Sequence, residues 1–273
     1  MPSTADKRAT FRKLHESGCF VLPNPFDIGT AKYSQHLGFK AIATTSAGFA
    51  FSRGLPDNGV PRDEVIAHVA EMVAAVDVPV NADFENGYAH DPAGVAESVR
   101  LCAQTGVAGL SIEDATGDPR APLYDIDHAV ARIRAARDAL DATAPDTLLV
   151  GRAECFLVGQ HDLDEVIRRL SAYAAAGADC LYAPGLRKRD QIEAVVEAVA
   201  PRPVNVLVGA PIGLSVADLA ALGVRRVSVG GALARAAWGG FIRAATQIAH
   251  HGCFDALADA PPHATLDAFF RAT

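Results

Sequence analysis

The chain has little that would tie it to a membrane, a nucleic acid or an oxidising compartment. No apolar run approaches the roughly 20 residues of a membrane span, so no membrane partner is expected. The stretch from Thr4 to Glu16 is charged and has no apolar core, so it does not read as a signal peptide. Basic runs are missing as well. The net charge is −7, from 25 basic and 32 acidic residues, which argues against a nucleic-acid partner. The five cysteines (Cys19, Cys102, Cys155, Cys180 and Cys253) are odd in number and form no Cys-x-x-Cys pair. Neither a zinc site nor a disulfide framework is therefore expected, and reduced thiols suit a cytoplasmic protein. No linker, low-complexity tract or composition shift interrupts the sequence, so 1–273 reads as one domain.

What is present is a repeat of short apolar runs and longer amphipathic segments. Half of the 273 residues are hydrophobic, and the length is close to that of one α/β barrel, about 250 residues. Eight runs read as strands: 20–22, 41–45, 78–83, 109–112, 148–152, 180–183, 204–208 and 226–229. Between them, Val65, Val69, Met72, Val73 and Val76 recur at helical spacing. Asp91 and Pro92 read as the cap and first residue of another helix, and Asp162 as the cap of a third. Gly38, Gly106, Gly177 and Gly223 each stand shortly before a strand, where glycine suits the left-handed end of a helix. Eight such units favour a closed (β/α)8 TIM-like barrel. Residues 253–273 differ. Pro261 and Pro262 precede Leu266, Phe269 and Phe270, which reads as a docking tail with a short helix.

In a parallel barrel, function belongs at the C-terminal ends of the strands. The third run ends at Asp83 and Glu85 and the fourth at Glu113 and Asp114. Asp83, Glu85 and Glu113 could converge on one hard cation, Mg2+ first and Mn2+ as the alternative. Ser46, Ala47 and Gly48 can offer a hydroxyl and successive amides to a carboxylate, and Arg152 can grip one with a planar fork. Asn205 adds a polar group on the seventh run, and Gly230-Gly231 could cradle a phosphate or simply pack helix on strand. Several of these have plainer readings. An Asp at a strand end is often a helix cap, Arg152 and Glu154 could be a buried pair, and Cys155 reads as a buried structural thiol.

The residues also match a family. Pro23-Asn24-Pro25-Phe26-Asp27, Thr44-Thr45-Ser46-Ala47-Gly48, Gly54-Leu55-Pro56-Asp57, Asn81-Ala82-Asp83-Phe84-Glu85-Asn86-Gly87-Tyr88, Ile112-Glu113-Asp114 and Gly151-Arg152-Ala153-Glu154 follow in order. This resembles the isocitrate lyase/phosphoenolpyruvate mutase superfamily, and within it a group whose loop reads Glu-Asp-Ala-Thr-Gly and which binds 2-oxo acids. The resemblance implies an α/β barrel with its last helix exchanged between subunits, in a homo-oligomer (dimer or tetramer). It implies Mg2+ and a small 2-oxo or 2-hydroxy carboxylate reacting through an enolate-like species. By position, Asp83, Glu85 and Glu113 would hold the metal. Ser46, Ala47, Gly48 and Arg152 would hold the substrate carboxylate, and Asp57 would approach the reacting end.

One departure narrows the reading. The lyase members carry a Lys-Lys-Cys-Gly-His-type segment after the fourth strand, whose cysteine is the acid/base. This chain has Ala115-Thr116-Gly117-Asp118-Pro119-Arg120-Ala121-Pro122-Leu123-Tyr124 there, with no cysteine, histidine or lysine. Arg120 or Tyr124 could substitute, but the segment reads more simply as a spacer loop. The expected function is a Mg2+-dependent carbon–carbon lyase or related enzyme on a small oxo-carboxylate, by C–C cleavage, decarboxylation or C–P chemistry. The alternative is a non-catalytic 2-oxo acid binding protein that has lost the loop acid/base.

Overall fold

All eight apolar runs become strands of one sheet. They are β1 (Phe20–Leu22), β2 (Ile42–Ala43), β3 (Val80–Asp83), β4 (Gly109–Glu113), β5 (Leu148–Arg152), β6 (Cys180–Tyr182), β7 (Val204–Leu207) and β8 (Arg226–Ser228). The computed structural model describes residues 2–272; residues 1 and 273, the outer limits of the expected domain and tail, lie outside them. Every ladder is parallel, and the neighbours run β1-β8-β7-β6-β5-β4-β3-β2. Among the described residues, only the seam between β1 and β2 has no ladder. Their seam is crossed by the Ala43 amide, which donates to Pro23 O at 2.9 Å. Asn24 completes it. Its Nδ2 donates to Thr44 O at 2.8 Å, while its Oδ1 accepts from the amides of Val229 and Gly230 at 3.0 and 2.9 Å. The result is a (β/α)8 TIM-like barrel.

The helices surround it: α1 (Thr4–Glu16), α2 (Ile28–His36), α3 (Ser46–Ser52), α4 (Arg62–Ala75), α5 (Pro92–Gln104), α6 (Ile126–Thr143), α7 (Leu163–Ala175), α8 (Arg189–Val199), α9 (Val216–Ala221), α10 (Ala232–His251) and α11 (His263–Ala272). The caps fall where the sequence puts them. Asp91 accepts from the Gly94 amide at 2.9 Å with Pro92 opening α5, and Asp162 accepts from Asp164 and Glu165. Gly38, Gly106, Gly177 and Gly223 have φ of 88°, 88°, 105° and 83°, a left-handed turn that only glycine enters without strain.

The main core lies between strands and helices, where Val65, Val69, Met72, Val73 and Val76 of the α4 region are buried. A second cluster closes the bottom of the barrel, with Phe11 of α1 packed beneath Leu22, Ala43 and Leu148. The tail docks on α2 of its own chain. The Phe269 ring lies 5.1 Å from Tyr33 and 5.2 Å from His36. Leu266 and Phe270, and Trp238, Phe241 and Ile242 of α10, remain exposed. Among the described residues no helix is long and apolar enough to cross a membrane.

Candidate active site

Strand register brings the expected charges to one rim. Glu113 ends β4 directly beside Arg152 at the end of β5, and Asp83 ends β3 one strand further round. Arg152 is the hub. Its Nη1 lies 3.2 Å from Asp83 Oδ1 and 3.1 Å from Glu113 Oε2, and its Nε donates to Glu154 Oε1. Among the described residues its Nη2 makes no hydrogen bond. Glu85 and Asp57 join the group from loops. Glu85 has a φ of 46°, sparsely populated for a residue with a side chain.

Five carboxylates therefore face one guanidinium, and their ionisation reflects it. Burial pushes the Glu85 carboxyl up to about 7, with Asp83 and Asp57 adding repulsion. Burial also raises Glu113 and Glu154, against the pull of Arg152. Asp57 stands at the mouth, open to solvent on one side. Burial of its other side raises its carboxyl, with Asp83 next. The Tyr88 hydroxyl is buried beside Glu85 and, by its hydrogen-bonding reach, draws that carboxyl back down. A site with this excess of hard oxygen donors fits a divalent cation such as Mg2+. It is not a ready-made shell, however. Among the described residues no three such side chains are arranged around a common centre, because the Arg152 guanidinium stands between Asp83 and Glu113.

The other expected residues are placed as follows. Ser46 donates through both its amide and its hydroxyl to Asp83 Oδ2, at 3.0 and 3.1 Å. The Gly48 amide caps α3 by donating to Thr45 Oγ1 at 3.2 Å, so of the three small residues only Ala47 has an amide with no hydrogen bond among the described residues. A Cβ on Gly48 would lie 2.6 Å from Thr45 Cγ2, so glycine is needed for that turn to close. Ser46, Ala47, Asp57, Asp83 and Arg152 all line one cavity of about 120 Å³, which runs down past Asn205. The Gly230 amide is already engaged by Asn24, which weakens the phosphate-cradle reading. Cys155 is fully buried and its thiol is pushed up to about 12 by burial, as a structural thiol should be.

Tyr124 does not line the cavity. Its hydroxyl lies 2.5 Å from His90 Nδ1, and the Arg132 guanidinium covers its ring at 4.0 Å. An isolated Ala115–Leu123 bridge closes the loop behind it. Asp114 also turns away from the ligand side. It accepts from the Glu154 amide at 2.8 Å, Arg169 Nη1 at 2.9 Å and Tyr173 Oη at 2.5 Å, and so props up the end of β5.

Sequence reasoning missed the depth of the cavity. Asn81, Ser111, Tyr182, Arg226 and Ser228 also line it. For Asn81, Ser111 and Ser228 the signal was available, since these polar residues stand among apolar neighbours within their strands; for Arg226 it was not.

A model of the phosphoenolpyruvate phosphomutase family matches residues 11–249. The crystal structure of a candidate lyase/mutase from Burkholderia cenocepacia J2315 superposes with a TM-score of 0.95 at 50% identity, covering 98% of this chain and 97% of that one. The oxaloacetate decarboxylase of Paraburkholderia xenovorans (strain LB400) is 30% identical, over 82% of this chain and 75% of its own. A phosphonopyruvate hydrolase in complex with oxalate and Mg2+ is 25% identical with a TM-score of 0.85, over 97% of this chain and 96% of its own.

Proposed function

Because this chain belongs to the phosphoenolpyruvate phosphomutase family, within the isocitrate lyase/phosphoenolpyruvate mutase superfamily, we propose that its rim binds Mg2+ with a small 2-oxo or 2-hydroxy carboxylate and acts on that acid as a lyase. The observation that carries this reading is the excess of carboxylates, five around Arg152, of which Asp57 and Asp83 line the polar cavity and Glu85, Glu113 and Glu154 stand behind it. Asp83, Glu85 and Glu113 would hold the metal, Mn2+ being the alternative. When bound, the metal supplies Lewis-acid polarisation of the substrate carbonyl.

The chain's own residues do the rest. The Ala47 amide and the free Nη2 of Arg152 orient the substrate carboxylate, joined by the Ser46 hydroxyl when it turns from Asp83, with Gly48 allowing the close turn. Fixing that end removes rotational freedom before reaction. Asp57, with its raised carboxyl, holds a proton at the mouth more readily than an ordinary aspartate.

The loop after β4 selects among reactions. It holds no cysteine or histidine, and Tyr124 is bonded to His90 instead of facing the cavity. Protonation of a carbon by this loop, as cleavage of isocitrate or methylisocitrate requires, is not supported. Loss of carbon dioxide from a β-carboxylated oxo acid needs no base on the departing group, and the enolate it leaves can take its carbon proton from water. Oxaloacetate is therefore the first substrate to assay, beside phosphonopyruvate and 2-methylisocitrate, each with and without Mg2+. Turnover of oxaloacetate or phosphonopyruvate with Mg2+ is expected, and little or none of 2-methylisocitrate. Efficient glyoxylate release from isocitrate would overturn the assignment of the loop. The same pinned loop favours a second reading, a 2-oxo acid binding protein without turnover, and binding with no turnover across the panel would select it.

A further inference from the structure

Below the rim the barrel interior is polar, where barrels of this type are ordinarily filled by branched apolar side chains. Arg226 lies there and is 2% exposed. Its Nε donates to Asn205 Oδ1 at 2.8 Å and its Nη1 to Asn81 Oδ1 at 3.4 Å. Among the described residues no carboxylate pairs with it, and its Nη2 makes no hydrogen bond. His15, packed at the floor, offers no counter-charge. Burial first, and then Arg226 itself, hold that imidazole neutral, with a pKa of about 3. Buried guanidinium groups are ordinarily paired. Arg152, by contrast, already serves three carboxylates.

The same cavity is lined by Arg226 and by the rim groups Ser46, Asp83 and Arg152, so the uncompensated cation is reached from the mouth. Asn81, its partner, stands two residues before Asp83 on β3, about 6–7 Å deeper at strand rise. The room is built in. A Cβ on Gly109 would lie 2.8 Å from Asn81 Oδ1 and 2.7 Å from Phe11, so only glycine leaves space for this amide above the floor. Asn205 is oriented by donating its Nδ2 to Ser228 Oγ at 2.9 Å, which leaves its Oδ1 for Arg226.

We propose that this shaft is an anion subsite in which Arg226, held by Asn81 and Asn205, receives the second acidic group of a short diacid whose first carboxylate lies at Ser46 and Ala47. The inference rests on the oxo- or hydroxy-acid reading above and adds selectivity to it. A monoacid leaves the buried cation unpaired, and a site built for a polar partner discriminates strongly against ligands that lack it.

Calorimetry with L-malate and L-lactate in the presence of MgCl2 tests it, on the full chain and on the Asn205→Asp and Arg226→Met variants. Malate should bind about tenfold more tightly than lactate, or better, as expected of a charge-assisted contact. Asn205→Asp places a carboxylate where Oδ1 already meets Arg226, so it compensates the cation internally and leaves the fold supported even where Arg226→Met does not. It should bring the two affinities to within about threefold. Equal binding of malate and lactate by the unaltered protein, or a malate preference that survives Asn205→Asp, would overturn the subsite alone. Binding of neither acid would remove the underlying functional reading, and the subsite with it.

Discussion

Replacement of Glu85 by glutamine should stabilise the metal-free protein, and only above a defined pH. Burial raises this carboxyl from its ordinary 4.5 to about 7 in the folded chain. Between those values the folded state keeps a proton that the unfolded state has released. Stability therefore falls as pH rises through the window from 4.5 to 7, and the loss is complete above it. At about 1.4 kcal/mol per pH unit, the cost comes to about 3 kcal/mol at pH 8 and about 1 kcal/mol at pH 5. Glutamine has the same shape and no charge to bury. Urea unfolding of both proteins in EDTA, from pH 5 to 8, should show the variant more stable by these amounts, equivalent to a melting temperature roughly 6–12 °C higher at pH 8. Saturating Mg2+ should then stabilise the unaltered protein more at pH 8 than at pH 5, because its ligands must be deprotonated. The variant should gain less. Parallel stability curves for the two proteins across the pH range would refute the reasoning.

Asp83→Ala should remain folded, because the rim is not the core, yet lose Mg2+-dependent binding of oxo acids by calorimetry; unchanged metal affinity would exclude Asp83 as a ligand. Tyr124→Phe should leave turnover within about threefold, since its hydroxyl serves His90 and not the cavity; a loss of about 100-fold would make it the missing acid. Tyr173→Phe removes one donor from Asp114, which is 2% exposed, and should cost about 1–3 kcal/mol in urea unfolding, with no change taken as evidence against the post under β5. Full-length protein should scatter light as a dimer or tetramer, and a chain ending at Gly252 should form smaller species, because Trp238, Phe241 and Ile242 leave an apolar face exposed; a full-length monomer at micromolar concentration would contradict this.

The strands were legible because strands covered on both faces read as nearly continuous apolar runs. Their ends were less so. The run 41–45 shrinks to Ile42–Ala43 because Thr44 accepts from the Asp83 amide and Thr45 caps α3. The rim carboxylates were legible as polar residues at the ends of apolar runs. Arg152 as the hub of three carboxylates was not, since that role depends on three strand ends converging. The direction of Tyr124 was hidden too, decided by His90, 34 positions away. Arg226 was hidden for another reason. Beside Arg225 it reads as the polar start of a strand, and only the inward register of β8 shows it to be buried.

The seam between β1 and β2 has a consequence for how the molecule is made. β2 to β8 can pair in the order of synthesis, each strand beside the one just completed. β1 cannot, because its ladder partner is β8, and Phe20 must wait for Arg226. Contacts of such sequence separation form slowly, after the entropy of closing a long loop has been overcome. Asn24 is in the same position, as both acceptor bonds of its side chain go to Val229 and Gly230. A nascent chain therefore carries every rim carboxylate before it carries a closed rim. The cavity, lined from both ends of the chain by Asn24 and by Arg226, Ser228 and Gly230, is complete only when the first strand and the last have met.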